Sequence, residues 1–146
     1  MADVIIAYDT KTGATERAAG LILEGVKAAG ADGVMKKLED VTVTDLLEAR
    51  GIVLGSPNVN DNYSGKLRYF IDDVVKNAQP SGKVGGAFGT YKWNMENLKR
   101  LEADMEYIGI RLAAPGVNAT HRPQAGDDAR LKALGEAVGR EALKNK

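Results

Sequence analysis

Short apolar runs alternate along this chain with stretches whose apolar residues recur at helical spacing. Val4-Ile5-Ile6-Ala7 is a continuous apolar run and predicts a buried strand over residues 3–8. From about Ala14 to Ala29 the apolar positions Ala18, Ile22, Val26 and Ala29 share one helical face, and Gly30 follows as a terminator. Gly33–Leu38 reads as a second strand, less apolar and so nearer an edge. Thr42–Glu48 is a short helix with capping residues at its start. Gly51–Gly55 is a third strand, fully apolar and central. Leu67, Phe70, Ile71, Val74 and Val75 form the best helical face in the chain, and Pro80-Ser81-Gly82 ends it. Lys83–Thr90 is the fourth strand, with Gly85-Gly86 admitting a close neighbour. Asn94 caps a helix whose face is Met95, Leu98, Leu101, Met105 and Ile108. Gly109–Ala113 and Gly116–Thr120 supply the last strand, interrupted at Pro115, and Leu131, Leu134, Val138 and Ala142 mark the final helix. Such alternation of β and α predicts a parallel sheet covered on both faces, in one domain over residues 1–146.

Between the first strand and the first helix lies Tyr8-Asp9-Thr10-Lys11-Thr12-Gly13-Ala14-Thr15-Glu16. The first N–H groups of a helix lack intrahelical acceptors, and the helix dipole adds partial positive charge there. Such an end suits a phosphate. Hydroxyls at Thr10, Thr12 and Thr15 add donors, and Gly13 lets the backbone come close. An ordinary N-cap turn would explain one threonine; three around a glycine favour phosphate binding.

Thr10-Lys11-Thr12-Gly13-Ala14-Thr15 resembles the Thr/Ser-x-Thr-Gly-x-Thr phosphate loop of the flavodoxin family, in the same place after the first strand. The resemblance implies non-covalently bound FMN and a flavodoxin-like three-layer α/β sandwich with a five-stranded parallel sheet of order 2-1-3-4-5. In an open sheet of that order the ligand sits outside the strand C-termini, where the order reverses, and flavodoxins are a standing illustration of the rule. Loops after strands one, three and four then converge. Gly55-Ser56-Pro57-Asn58 resembles the segment beside the ribityl chain and one side of the isoalloxazine ring. Ser56 would bond a ribityl hydroxyl, and the backbone of Asn58 to Asn62 would meet the polar edge of the ring. An Asn-rich solvated turn is the competing reading for each asparagine taken singly. Gly89-Thr90-Tyr91-Lys92-Trp93 is similar to the Gly-Ser-Tyr-Gly-Trp stretch in the flavodoxin domain of flavodiiron proteins. Trp93 or Tyr91 is expected as a ring neighbour, against the alternative that Trp93 packs over the fourth helix. The expected cofactor set is therefore Thr10, Lys11, Thr12, Gly13, Ala14 and Thr15 for phosphate; Ser56, Pro57, Asn58, Val59, Asn60 and Asn62 for ribityl and ring edge; and Gly89, Thr90, Tyr91, Lys92 and Trp93 for the ring.

Composition narrows the chemistry. Lys and Arg total 20, as do Asp and Glu, so no bulk charge points to nucleic acid or membrane. Flavodoxins are usually strongly acidic, and this chain departs from them there. Cysteine is absent, which excludes disulfides, thiol catalysis and cysteine-ligated clusters; a single histidine cannot form a multi-histidine metal centre. Redox chemistry would come from an organic cofactor. The resemblance implies an electron carrier working with protein redox partners, expected as a monomer or weak dimer; with no signal-peptide pattern and no apolar run near membrane length, a cytoplasmic protein is expected. An FMN-dependent reductase of a quinone or similar substrate is the alternative from the enzyme class, against which the short loops count. An excised flavodoxin domain of a flavodiiron oxygen or nitric oxide reductase is another. A phosphoacceptor domain would need an acidic cluster for Mg²⁺; Asp9 has no adjoining acid, and strand three ends in Ser56-Pro57. Asn118-Ala119-Thr120 matches a glycosylation sequon without a secretory signal before it.

Overall fold

The computed structural model describes residues 2–9, 13–57, 59, 62–91, 96–120 and 126–145. Strand β1 spans Val4–Tyr8, β2 Gly33–Lys37, β3 Gly51–Pro57, β4 Val84–Tyr91, β5 Arg111–Leu112 and β6 Val117–Thr120. Helices are α1 (Ala14–Ala28), α2 (Val43–Glu48), α3 (Gly65–Phe70), α4 (Glu96–Tyr107) and α5 (Asp127–Lys144). The strands form one parallel sheet in the order β2-β1-β3-β4-β5, with β6 also paired to β4. This is the predicted order. The last strand is split as expected around Pro115: β5 pairs with Val84 and Gly85, and β6 pairs with Phe88 to Tyr91.

Successive strand residues point to opposite faces, so each buried strand serves two cores. On one face Val4, Ile6, Val53, Val84 and Phe88 meet Ile22 and Val26 of α1 and Leu134 and Val138 of α5. On the other, Ile5, Ala7, Ile52, Leu54 and Ala87 meet Leu46, Leu67, Phe70, Leu101 and Met105. Because β1 and β3 are covered on both sides, they read as continuous apolar runs. β2 is an edge strand, and its residues are only partly buried. On the α1 and α5 face, the two helices pack backbone to backbone. A Cβ on Gly25 would lie 2.0 Å from the Lys132 carbonyl oxygen, and one on Gly135 would lie 2.0 Å from that of Ile22.

Two elements differ from expectation. β3 runs on through Ser56 and Pro57, which pair with Gly89 and Thr90 of β4 rather than lying in a loop. The helix expected through Val75 changes pitch: α3 passes into a wide π-type turn over Ile71–Val75 and a 3₁₀ turn over Lys76–Ala78. It stops at Gln79, in left-handed geometry (φ 53°) just before Pro80, which cannot continue a helix. The predicted start of α2 is present as a full capping box: Thr42 Oγ1 accepts from Asp45 N–H, and Asp45 accepts from Thr42 N–H. Asn94 and Met95, expected to open α4, lie outside the described residues.

Candidate functional site

The C-terminal ends of β1, β3 and β4 lie side by side, in the register Tyr8–Gly55 and Pro57–Thr90. This is the point at which strand order reverses: the chain leaves β1 for β2 on one side and later returns to β3 on the other. The loops that follow these strands therefore emerge together, as the sequence implied.

Helix α1 begins at this edge. Gly13 is its N-cap, in left-handed geometry (φ 86°). Among the described residues, no atom outside the adjacent residues comes within 4 Å of where a Gly13 Cβ would be, and its positive φ is a conformation that favours glycine. Ala14 is the first helical residue and Thr15 the second. Thr15, Glu16 and Arg17 each tie this turn to a different element. Thr15 Oγ1 lies 3.2 Å from Thr90 Oγ1 at the end of β4, both hydroxyls being buried. The Tyr8 hydroxyl, at the end of β1, donates to Glu16 Oε1 at 2.7 Å. The Arg17 guanidinium donates through both terminal nitrogens to the Asp128 carboxylate at the start of α5, at 3.2 and 3.1 Å. A helix start is thus tethered through three successive residues at the sheet edge, and the N–H groups of a first helical turn are suited to an anion. The Glu16 carboxylate in the first turn opposes that charge, and the Tyr8 hydroxyl is turned toward it. Burial, with Glu16 beside it, pushes the Tyr8 phenol up to about 12, so it remains a donor at all ordinary pH.

The end of β3 is fastened differently. Ser56 is buried; its hydroxyl donates to the Pro57 carbonyl at 2.7 Å and accepts from Ser64 N–H at 2.9 Å. Both ends of the intervening loop are thereby closed on one side chain. Within it, Val59 and Asn62 exchange backbone bonds, Val59 N–H to Asn62 O at 2.7 Å and Asn62 N–H to Val59 O at 3.0 Å. Asn62 Oδ1 accepts from Tyr63 N–H at 2.8 Å. Tyr63, buried, donates a short hydroxyl bond to Asp104 of α4. Ser64 then caps α3, its Oγ accepting from Leu67 N–H.

Of the residues expected at the site, the structure brings together Gly13, Ala14, Thr15, Ser56, Pro57, Gly89 and Thr90 at the strand ends, with Val59 and Asn62 in the turn just beyond. Tyr91 ends β4, and only its backbone is described. Thr10, Lys11, Thr12, Asn58, Asn60, Lys92 and Trp93 lie outside the described residues. The geometry gives four of the expected residues additional work. Ser56 organises its own loop, the N–H groups of Val59 and Asn62 serve each other, and Thr90 reaches α1. Sequence reasoning missed Tyr8, Glu16, Arg17 and Asp128. A tyrosine closing a buried strand was the available signal, because its hydroxyl needs a partner when the ring is covered. Asn118, in the sequon, is a buried residue of β6, which does not suit a bulky surface glycan.

The donor set fits FMN: a tethered helix start with a left-handed glycine for a phosphate, next to the adjacent C-terminal ends of β3 and β4. Among the described residues there is no cluster of three or more His, Cys, Asp or Glu fit to hold a metal, and no helix is long and apolar enough to cross a membrane.

Comparisons with known proteins agree with this geometry. The family model described as Flavodoxin matches residues 6–133. A nitric oxide reductase of Moorella thermoacetica is 32% identical over 142 residues, covering 94% of this chain and 35% of that protein. A flavodoxin of Clostridium saccharobutylicum is 40% identical over 88 residues, covering 60% of this chain and 54% of that protein. The chain thus spans about a third of the first relative and about half of the second. A solved flavodoxin from the domain Archaea superposes with a TM-score of 0.92 at 26% identity, covering 96% of this chain and 98% of the other. The threonine loop, the reversal of strand order and these matches agree: the chain belongs to the flavodoxin family, whose cofactor is FMN.

Proposed function

We propose that residues 1–146 form a single electron-transfer unit that holds FMN at the β1, β3 and β4 ends and exchanges electrons with protein partners. The observation that carries this reading is the three-way tether of the α1 start, through Thr15, Glu16 and Arg17, at the point where strand order reverses. When bound, FMN supplies the isoalloxazine that takes up and gives up electrons. The chain's own residues do the rest. Backbone N–H groups of the first turn of α1, with Thr10, Thr12 and Thr15, hold the phosphate. The end of β3 and the backbone-paired Val59 and Asn62 flank one side of the ring, and Tyr91 to Trp93 flank the other. Lys92, beside the ring, adds positive charge there if it faces inward.

The test is retention of flavin. Protein incubated with FMN and desalted should keep flavin absorbance with quenched fluorescence, and Thr12→Val plus Thr15→Val should lose most of it. Wild-type protein that retains no flavin at micromolar concentration refutes the reading. A second reading rests on one observation, that 94% of this chain matches 35% of a protein named as a nitric oxide reductase. In it, the unit serves as the flavin module of a longer reductase. The mass of the native protein isolated from its source, with an assay of nitric oxide consumption, separates the two.

A further inference from the structure

The Thr15 and Thr90 hydroxyls lie 3.2 Å apart although 75 positions separate them in the chain. Thr15 is the second residue of α1 and is 1% exposed; Thr90 is the penultimate residue of β4 and is 5% exposed. Residues alternate along β4, so Thr90 shares the face of Phe88, which packs in the α1 and α5 layer. The strand therefore delivers its hydroxyl beneath the first turn of α1. A hydroxyl carries one proton and two acceptor positions. In a Thr–Thr bond one proton is consumed, and either oxygen can be the donor. The direction becomes defined once an acceptor-only anion stands at the helix start. If Thr15 gave its proton to Thr90, it would turn a lone pair toward that anion. If Thr90 gives its proton to Thr15, the Thr15 proton is free for the anion, and the two bonds run the same way.

We infer that Thr90 is a positioning residue for phosphate recognition: its hydroxyl donates to Thr15 Oγ1 and so directs the Thr15 proton to the FMN phosphate. The inference rests on the reading that the α1 start holds that phosphate. Bonds to an ionised acceptor are stronger than neutral ones, so the orientation of one buried hydroxyl matters to affinity. The relay serves the phosphate alone. The distinguishing mark is therefore discrimination between FMN and riboflavin, which differ only by that group.

Thr90→Val removes the hydroxyl at nearly constant volume. Dissociation constants for FMN and for riboflavin are measured by flavin fluorescence quenching, and the ³¹P resonance of bound FMN is recorded in the same variants. FMN binding should weaken about fivefold, as expected for a lost bond between two neutral groups that orients the bond to the phosphate. Riboflavin binding should stay within about twofold by the same reasoning. The ³¹P resonance should shift, and Thr90→Ser should restore both signals. Unchanged FMN affinity with an unmoved ³¹P resonance overturns the relay. So does an equal loss of FMN and riboflavin binding with that resonance unmoved, which marks a merely structural role. Wild-type protein that retains no FMN removes the underlying reading as well, whereas wild-type retention with an unaltered Thr90→Val removes the relay alone.

Discussion

Replacing Gly25 by alanine should unseat the helix that presents the site. The added Cβ would fall 2.0 Å from the Lys132 carbonyl oxygen and 2.9 Å from the Glu136 amide nitrogen, both backbone atoms of α5. Backbone cannot rotate away as a side-chain tip can, so α1 and α5 must separate. Overpacking of this kind costs about 3 kcal/mol at the upper end of its usual range. Alanine regains about 1 kcal/mol of helix propensity over glycine. The net destabilisation is then about 2 kcal/mol. A chain of 146 residues unfolds with an entropy of about 0.3 kcal/mol/K, so Tm should fall by about 7 °C. Gly20, in the same helix, is the control, because a Cβ there meets nothing within 4 Å among the described residues. Gly20→Ala should gain the propensity term alone and raise Tm by about 3 °C. Thermal unfolding of the flavin-free proteins, followed by far-ultraviolet circular dichroism, reads both signs. FMN retention should fall in Gly25→Ala, because separation of α1 from α5 also moves Thr15 away from Thr90 and Arg17 away from Asp128. A Gly25→Ala protein that melts at or above the wild-type temperature would refute the close-packing argument.

Two further outcomes follow from the side-chain network. Tyr63→Phe leaves Asp104 without the buried hydroxyl that donates to it, and should cost about 1.5–3 kcal/mol in urea denaturation, the range for a bond to a charged group. An unchanged midpoint and slope would show that this bond adds nothing. Asp45→Ala removes the carboxylate half of the α2 capping box, the bond from Thr42 N–H, and should cost about 1 kcal/mol at pH 7. Bonds from the Thr42 backbone, then Lys36, hold the Asp45 carboxyl below its ordinary value. A carboxylate depressed in the folded state stabilises above its unfolded value, near pH 4, and that stability is lost as pH falls through the lower folded value. The gap between wild type and Asp45→Ala should therefore narrow from pH 7 to pH 2; a constant gap across that range would contradict the assignment.

The sequence alone determined the architecture, because the two cores impose periodicities that can be read directly. Strands buried on both faces must be apolar throughout, as Val4-Ile5-Ile6-Ala7 and Gly51–Gly55 are, and helices buried on one face must repeat at helical spacing. It also located the threonine loop, since a glycine and hydroxyls at a strand-to-helix turn are local chemistry. Local pattern is silent about contacts between distant segments. Nothing in the sequence near Thr90 says that its hydroxyl meets Thr15, or that Tyr8, Glu16, Arg17 and Asp128 would help pin the first turn of α1. Those pairings depend on which strand ends lie adjacent and how closely α1 approaches α5 through Gly25 and Gly135. Likewise, the extension of β3 through Ser56 and Pro57 was hidden by residues that favour turns, and pairing with Gly89 and Thr90 overrode that preference. Tertiary structure decided which hydroxyls are committed inside the fold and which helix start is held ready for a phosphate, because hydrogen-bond partners are set by position in space and not by spacing along the chain.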